Sequence, residues 1–354
     1  MGVEYVSVQW NRQKRIYDVV LVSAVGLFLA GFAAISKIFY PFVTDEIVLI
    51  RAFGSASFIL LQVILMIGPL CRLNRRFLPL LYNRRHAGVT MCLLALVHVG
   101  LGVVTYHAGG DINPISSIFR GSPLSGGAAG VPFQPFGFVA LVILILMAAT
   151  SHDFWLANLS APVWKTLHML VYLAYALLVI HVTFGALQAE LNPLYTVSVG
   201  VGLAVVLILH LAAGWREGKL DREKGTIAND SDGFVDVCSV AEIPEKRARI
   251  VCLSGERVAI FKYDGKVSAV SNVCQHQNGP LGEGRILDGC ITCPWHGYQY
   301  LPETGASPPP FVEKVPTFNV RLQNGRVLVH PRPNPAGGRA SPALIEEAER
   351  LALA

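Results

Sequence analysis

The chain is short of charge. Of its 354 residues only 15% are Asp, Glu, Lys or Arg, while 53% are hydrophobic. That balance excludes an ordinary soluble protein and fits a largely membrane-embedded one. A cysteine framework is also lacking. Of the seven cysteines, Cys71 and Cys92 fall in or beside apolar runs and read as inert buried thiols, and Cys238, Cys252 and Cys290 stand at no pairing spacing. The absence of a disulfide set points to a reducing compartment. No Gly-x-Gly-x-x-Gly fingerprint occurs, so the chain offers no dinucleotide-binding fold of its own. The net charge of +5 comes from basic flanks of apolar runs, and no nucleic-acid partner is required.

What is abundant is apolar sequence, and it is concentrated before Gly214. Six runs stand out: Tyr17–Tyr40, Ile47–Leu70, Ala87–Tyr106, Phe133–Thr150, Lys165–Leu187 and Leu194–Gly214. A bilayer core needs roughly 20 residues of helix, with a range of about 17 to 25. All six qualify, the fourth being the shortest. The first exceeds the apolar core of about 7–15 residues of a cleaved signal and reads as a true span. The expectation is a six-helix transmembrane α-bundle packed in membrane lipid.

Arg12, Lys14 and Arg15 precede the first run. Arg72, Arg75, Arg76, Arg84 and Arg85 lie between the second and third, Lys165 opens the fifth, and Arg216, Lys219, Arg222 and Lys224 follow the sixth. Six crossings put every basic cluster on one side, so both termini are expected to be cytoplasmic.

After Gly214 the pattern changes. Residues 215–232 are charged and aperiodic and read as a linker. From Phe234 short strands follow, with Val- and Ile-rich stretches at Ala248–Leu253, Arg257–Tyr263 and Lys266–Val273 and hairpin signals at Asp264-Gly265 and Asn324-Gly325. The second part is therefore a small all-β domain. Inside it sit Cys274-Gln275-His276 and, sixteen residues on, Cys293-Pro294-Trp295-His296. Two Cys-His pairs at this spacing suit a Rieske [2Fe–2S] centre, with thiolates on one iron and imidazoles on the other. Structural zinc also accepts two Cys and two His. The spacing and the Pro-Trp-His-Gly-Tyr context weigh against it.

The stretches Val273–Leu281 and Cys293–Tyr300 resemble the Rieske ferredoxins of bacterial ring-hydroxylating dioxygenases, over residues 233 to 330. The resemblance implies Cys274, His276, Cys293 and His296 as cluster ligands, and Pro308-Pro309-Pro310 as the loop that covers them. The cytochrome bc-type branch has a further Cys in each ligand loop, paired as a disulfide, and a Ser after the second His-Gly. Here Gly279, Trp295 and Tyr298 take those places. Fewer hydrogen bonds to sulfur imply a potential in the lower part of the Rieske range, whose low end is about −150 mV. Such a cluster is better suited to donate to haem than to draw electrons from quinol. About sixty residues follow His296, too few for the mononuclear iron domain of an oxygenase subunit.

Ionisable residues inside spans default to function. His98 lies in the third run, His168 and His181 in the fifth, and His86 at the mouth of the third. Histidines on facing helices suit bis-imidazole haem. The thirteen residues from His168 to His181 rise about 20 Å, enough for two stacked haems, but turn about 220°, so a straight helix does not aim both at one face. His107, His152 and His210 read as interfacial or structural. Tyr172 and Tyr175 share the fifth run and either line a cofactor or pack.

Arg84-Arg85-His86-Ala87-Gly88 with His98 ten residues after the Gly, and Trp164-x-x-x-His168 with His181, resemble the ferric reductase-like transmembrane family over residues 45 to 215. The resemblance implies haem b, one or two, on His98, His168 and His181. His86 matches no ligand position of the bacterial members but is placed to pair with His168.

The expected organisation is an N-terminal segment 1–16, a haem-binding membrane domain 17–214, a linker 215–232, a Rieske domain 233–332 and a tail 333–354 with helical spacing of Leu344, Ala348 and Leu351. The expected function is that of an oxidoreductase component in the bacterial cytoplasmic membrane. A cytoplasmic flavoprotein ferredoxin reductase reduces the cluster, which passes single electrons to haem b and on to an acceptor at the outer face: ferric chelate, quinone, oxygen or a periplasmic protein. A quinone-linked oxidoreductase subunit and a redox sensor or structural iron–sulfur anchor are the competing readings.

Overall fold

The computed structural model describes residues 12–119, 132–152, 155, 159, 161–189, 193–222, 226–227, 232–276, 278–295 and 297–346. The chain falls into two compact units that divide between Ala212 and Ala213.

The first unit is helical. Its elements are α1 (Arg12–Phe39), α2 (Asp45–Leu73), α3 (Arg84–Tyr106), the short α4 (Pro114–Phe119), α5 (Gln134–Ala149), α6 (Ala161–Phe184), the single turn α7 (Ala186–Ala189) and α8 (Pro193–Arg222), with a 3-10 stretch at Arg75–Asn83. Asp45 and Glu46 occupy the first turn of α2 and Arg72 its last, the arrangement the helix dipole favours. Five helices are long and apolar enough to cross a membrane: α1, α2, α3, α6 and α8. The sixth expected span, α5, is corrected to a 16-residue apolar helix, started by a proline in its first turn and ended at Thr150. At 1.5 Å per residue it spans about 24 Å, somewhat short of a bilayer core of about 30 Å.

One apolar core draws Leu61 from α2, Met91 and Cys92 from α3, Ile143 and Leu144 from α5, Ala174 and Tyr175 from α6 and Val206 from α8. None of the apolar window of α1 is buried, and Val19, Val22 and Leu27 lie open at 65%, 64% and 75% exposure. Apolar surface of that extent belongs against lipid. Buried polar groups in the core are paired: Ser57 Oγ donates to the Met91 carbonyl at 3.1 Å, and the Gln62 amide donates to the Tyr175 hydroxyl at 3.2 Å.

The expected linker is corrected at its start, because α8 continues to Arg222. Glu217, Lys219 and Arg222 are good helix formers, so charge without apolar period does not end a helix. Arg257 clamps that extension, donating to both carboxylate oxygens of Asp221 (2.7 and 2.8 Å) and to Glu217. Its guanidinium holds the Asp221 carboxyl below the usual carboxylate range.

The second unit is all-β. The strands are β1 (Thr226–Ile227), β2 (Val235–Ser239), β3 (Arg247–Leu253), β4 (Glu256–Tyr263), β5 (Lys266–Ser271), β6 (Arg285–Leu287), β7 (Cys290–Thr292), β8 (Gln299–Tyr300), β9 (Thr317–Phe318), β10 (Val320–Gln323), β11 (Arg326–Val329) and β12 (Ala343–Leu344). They make a sheet ordered β1-β2-β11-β10, a second ordered β12-β5-β4-β3 with β9 also on β5, and a small β6-β7-β8 sheet. Asp264 (φ 45°) with Gly265 (φ 73°), and Asn324 (φ 49°) with Gly325 (φ 71°), take the left-handed conformation of type I′ hairpins. In the tail, Leu344 pairs with Lys266 as part of β12, and helix begins one residue later, at Ile345. Ala348 and Leu351 lie outside the described residues.

Candidate functional site

The first ligand loop leaves β5 and is closed by a bridge between Val273 and Pro280, and the second joins β7 to β8. Both fold alike around their cysteine. The Cys274 carbonyl accepts from Asn278 N–H at 2.6 Å and the Cys293 carbonyl from Gly297 N–H at 3.0 Å. The accepting turns need a left-handed residue four places on, supplied by Asn278 (φ 57°) and Gly297 (φ 76°). Cys274 N–H donates to the Gly279 carbonyl at 2.9 Å and Cys293 N–H to that of Tyr298 at 2.8 Å.

The two loops interlock. A Cβ on Gly279 would stand 2.8 Å from Cys293 Sγ and 3.2 Å from the Trp295 ring, so only glycine fits. Cys274 and Cys293 are 1% and 2% exposed and belong to one core cluster with Phe261, Leu281 and Tyr300. The His276 ring stacks on Tyr298 at 4.6 Å, nearly parallel at 7°. The Tyr298 hydroxyl donates to Glu313, and Phe311 meets the Tyr298 ring edge-on at 5.0 Å. Thus the segment that follows Pro308–Pro310 is fastened to the second ligand loop. His296 lies outside the described residues.

Tyr300 is the functional residue the sequence reading missed. It is fully buried, and its hydroxyl lies 3.3 Å from Cys274 Sγ. Burial pushes the phenol well above its ordinary value, with Cys274 adding to the shift. Facing a thiolate, which has no proton to give, the hydroxyl would be the donor. The signal was present: a tyrosine on the inward face of a buried strand must find a partner for its hydroxyl.

In the helical unit the structure brings His98 of α3 and His181 of α6 together, ring centres 6.4 Å apart and nearly perpendicular at 86°. His98 Nδ1–H donates to the Ile50 carbonyl at 2.8 Å, and His181 Nδ1–H to that of Phe133 at 3.0 Å. A carbonyl can only accept, so each proton sits on Nδ1 and each Nε2 keeps its lone pair, the form that binds a metal. Two metal–imidazole bonds of about 2 Å, with ring radii of roughly 1.1 Å, place the centres of two axial rings roughly 6.3 Å apart. Cβ atoms on Gly54 and Gly137 would stand 2.8 Å from His98 Nδ1 and 2.6 Å from His181 Nδ1. Glycine at both places makes room for the rings. The donor set, the spacing and the glycine cradles fit a bis-imidazole haem.

The other candidates are held differently. His168 Nδ1–H donates to the Trp164 carbonyl at 3.0 Å, its ring stacks on Trp164 at 3.7 Å, and Nε2 lies 3.4 Å from Ser151 Oγ. His86 Nδ1 meets both carboxylate oxygens of Asp18 on α1, at 2.9 and 3.0 Å. His210 is a structural group: Nδ1 bonds the Val206 carbonyl at 2.8 Å and Nε2 the Tyr172 hydroxyl at 3.2 Å. His107 Nδ1 pairs with Ser117 Oγ at 2.7 Å.

Comparison with known proteins divides the chain in the same way. Residues 53–179 match the ferric reductase like transmembrane component family, and residues 233–319 match the Rieske [2Fe-2S] domain family. The second part is 36% identical over 99 residues to the biphenyl dioxygenase ferredoxin subunit of a Pseudomonas species, covering 27% of this chain and 90% of that protein. It is 30% identical over 112 residues to the ferredoxin component of the alkene monooxygenase system of Xanthobacter autotrophicus, covering 31% and 92%. Among solved structures, the ferredoxin of carbazole 1,9a-dioxygenase from Nocardioides aromaticivorans aligns at 25% identity and TM-score 0.27, covering 28% of this chain and 98% of that one.

Proposed function

Because this multi-pass membrane chain belongs to the Rieske [2Fe–2S] family and carries a ferric reductase-like transmembrane component, we propose that it moves single electrons between an iron–sulfur cluster and haem b. Cys274, His276, Cys293 and His296 hold the cluster, and His98 and His181 hold haem in the bundle, with His168 and His86 as ligands at a second level. The bound groups supply the one-electron chemistry, and the chain supplies ligands, burial and hydrogen bonds.

The observation that carries this reading is the facing pair His98 and His181, 6.4 Å between centres, each with its proton fixed on Nδ1. A purely structural histidine pair has no use for two neighbouring imidazoles that each keep an Nε2 lone pair. In the β unit, Tyr300 donates to Cys274 Sγ, and the Tyr298 ring orients His276.

Direction and side are part of the proposal. If the short helix α5 also crosses, the basic residues at the starts of α1, α3 and α6 and at the ends of α2 and α8 share one side, which supports a cytoplasmic β unit and an acceptor at the outer face of a bacterial inner membrane. Relatives that are ferredoxin components of oxygenase systems support a flavoprotein reductase as donor.

The test is an optical and EPR spectrum of the purified chain. A Rieske signal together with a haem-b α-band, reducible by NADH plus a ferredoxin reductase, is expected. A colourless helical unit, or unchanged visible absorption in His98→Ala and His181→Ala, ends the proposal.

A further inference from the structure

Asp18 lies in α1, outside the stretch that matches the ferric reductase-like family. It is the one acid of α1 and stands near the charged start of that helix, three residues after Arg15. Its side chain is 17% exposed. It is fixed from two sides: the Asn83 amide donates to Oδ1 at 2.5 Å, and His86 Nδ1 meets both oxygens. His98, His168 and His181 each direct Nδ1 to a neutral backbone carbonyl. His86 alone among the four candidates has a carboxylate there.

Helical register sets the level of His86. With His98 and His181 side by side, stepping back twelve residues on α3 reaches His86 and thirteen on α6 reaches His168. These are descents of about 18 and 20 Å.

We propose that Asp18 is a positioning residue: its carboxylate orients His86 as an axial haem ligand at this second level and gives that level the lower reduction potential. A carboxylate on Nδ1 keeps the proton there and leaves Nε2 as the donor atom, and its negative charge close to the iron favours the ferric state. The neutral carbonyls behind His98 and His181 do this less. Electrons then run downhill from the basic end of the bundle toward His98 and His181. The inference rests on the haem reading above and deepens it.

The test uses the full chain in membranes or detergent, with haem counted per chain and midpoints read by optical redox titration. The Rieske EPR signal serves as the folding check. Asp18→Asn keeps an oxygen for both hydrogen bonds and removes only charge. It is expected to retain both haems and to raise one midpoint by tenfold in equilibrium constant, which is 59 mV for one electron, with the other unmoved. Asp18→Glu should restore the lower midpoint, and His86→Ala should lose one haem of two. Unmoved midpoints in Asp18→Asn, or a full haem complement in His86→Ala, overturn the inference. A wild-type chain with a single haem, lost in His181→Ala, also overturns it while leaving the proposed function standing. A chain without haem ends both.

Discussion

Replacing Tyr300 with Phe removes one oxygen and tests how this cluster's potential is set. The ring stays, so the core around Phe261 and Leu281 stays filled. What disappears is the hydroxyl 3.3 Å from Cys274 Sγ. Reduction adds negative charge to the cluster, so a donor at sulfur stabilises the reduced state more than the oxidised one. Hydrogen bonds to charged groups contribute about 1.5–3 kcal/mol. If roughly half of the larger figure appears only on reduction, the loss is about 1.4 kcal/mol, a tenfold change in equilibrium constant and about 59 mV for one electron. The midpoint of Tyr300→Phe should therefore fall by about 60 mV in an EPR-monitored titration of the full chain. Tyr298→Phe is the control: its hydroxyl serves Glu313, and the ring that stacks on His276 is kept, so its shift should be much smaller. A midpoint that holds or rises in Tyr300→Phe, with the cluster signal intact, refutes the assignment of this hydroxyl as a donor to sulfur.

Gly54→Ala and Gly137→Ala each push a Cβ into an imidazole. Both should lose most of the haem-b absorbance while leaving the Rieske EPR signal unchanged, measured on the same preparation. Burial pushes the Cys238 and Cys290 thiols up to about 11. Iodoacetamide at pH 7.5 followed by peptide mass mapping should leave both unmodified in the folded chain, while half-buried Cys252 is labelled first. Asp221 has a folded pKa depressed by Arg257, so its contribution is present above the unfolded value of about 3.9 and is lost as pH falls through the folded one. Melting followed by Rieske absorbance should separate Asp221→Asn from wild type near neutral pH, modestly because the pair is largely exposed, and should converge toward pH 3.

Much of the β unit was readable because its signals are local. Asp264-Gly265 and Asn324-Gly325 declare their hairpins, and both turns appear with the positive φ they require. Ser254-Gly255 and Asp288-Gly289 make turns of the same sign that the reading passed over. Serine is a weaker left-handed residue, and the β6–β7 hairpin is too short to show alternation. In the helical unit, His98 and His181 were visible as ionisable groups in apolar runs. Their Nδ1 partners were not, since Ile50 and Phe133 are each 48 residues away and offer only backbone. Asp18 was missed because it stands near the charged start of α1, three residues after Arg15. The α8 extension was misread because a charged helix end and a charged linker share composition and differ only in their tertiary partner, Arg257.

The close approach of Gly279 to Cys293 has an evolutionary consequence. In the bc-type branch the corresponding place is a cysteine that staples the two ligand loops. Here any side chain would collide with the ligand sulfur, so a single substitution cannot introduce that staple. Position 295 would have to give up its indole, and the backbone would have to part, at the same time. The two loops of this chain are thus held together by packing of Gly279 against Cys293 and Trp295, not by a covalent bond.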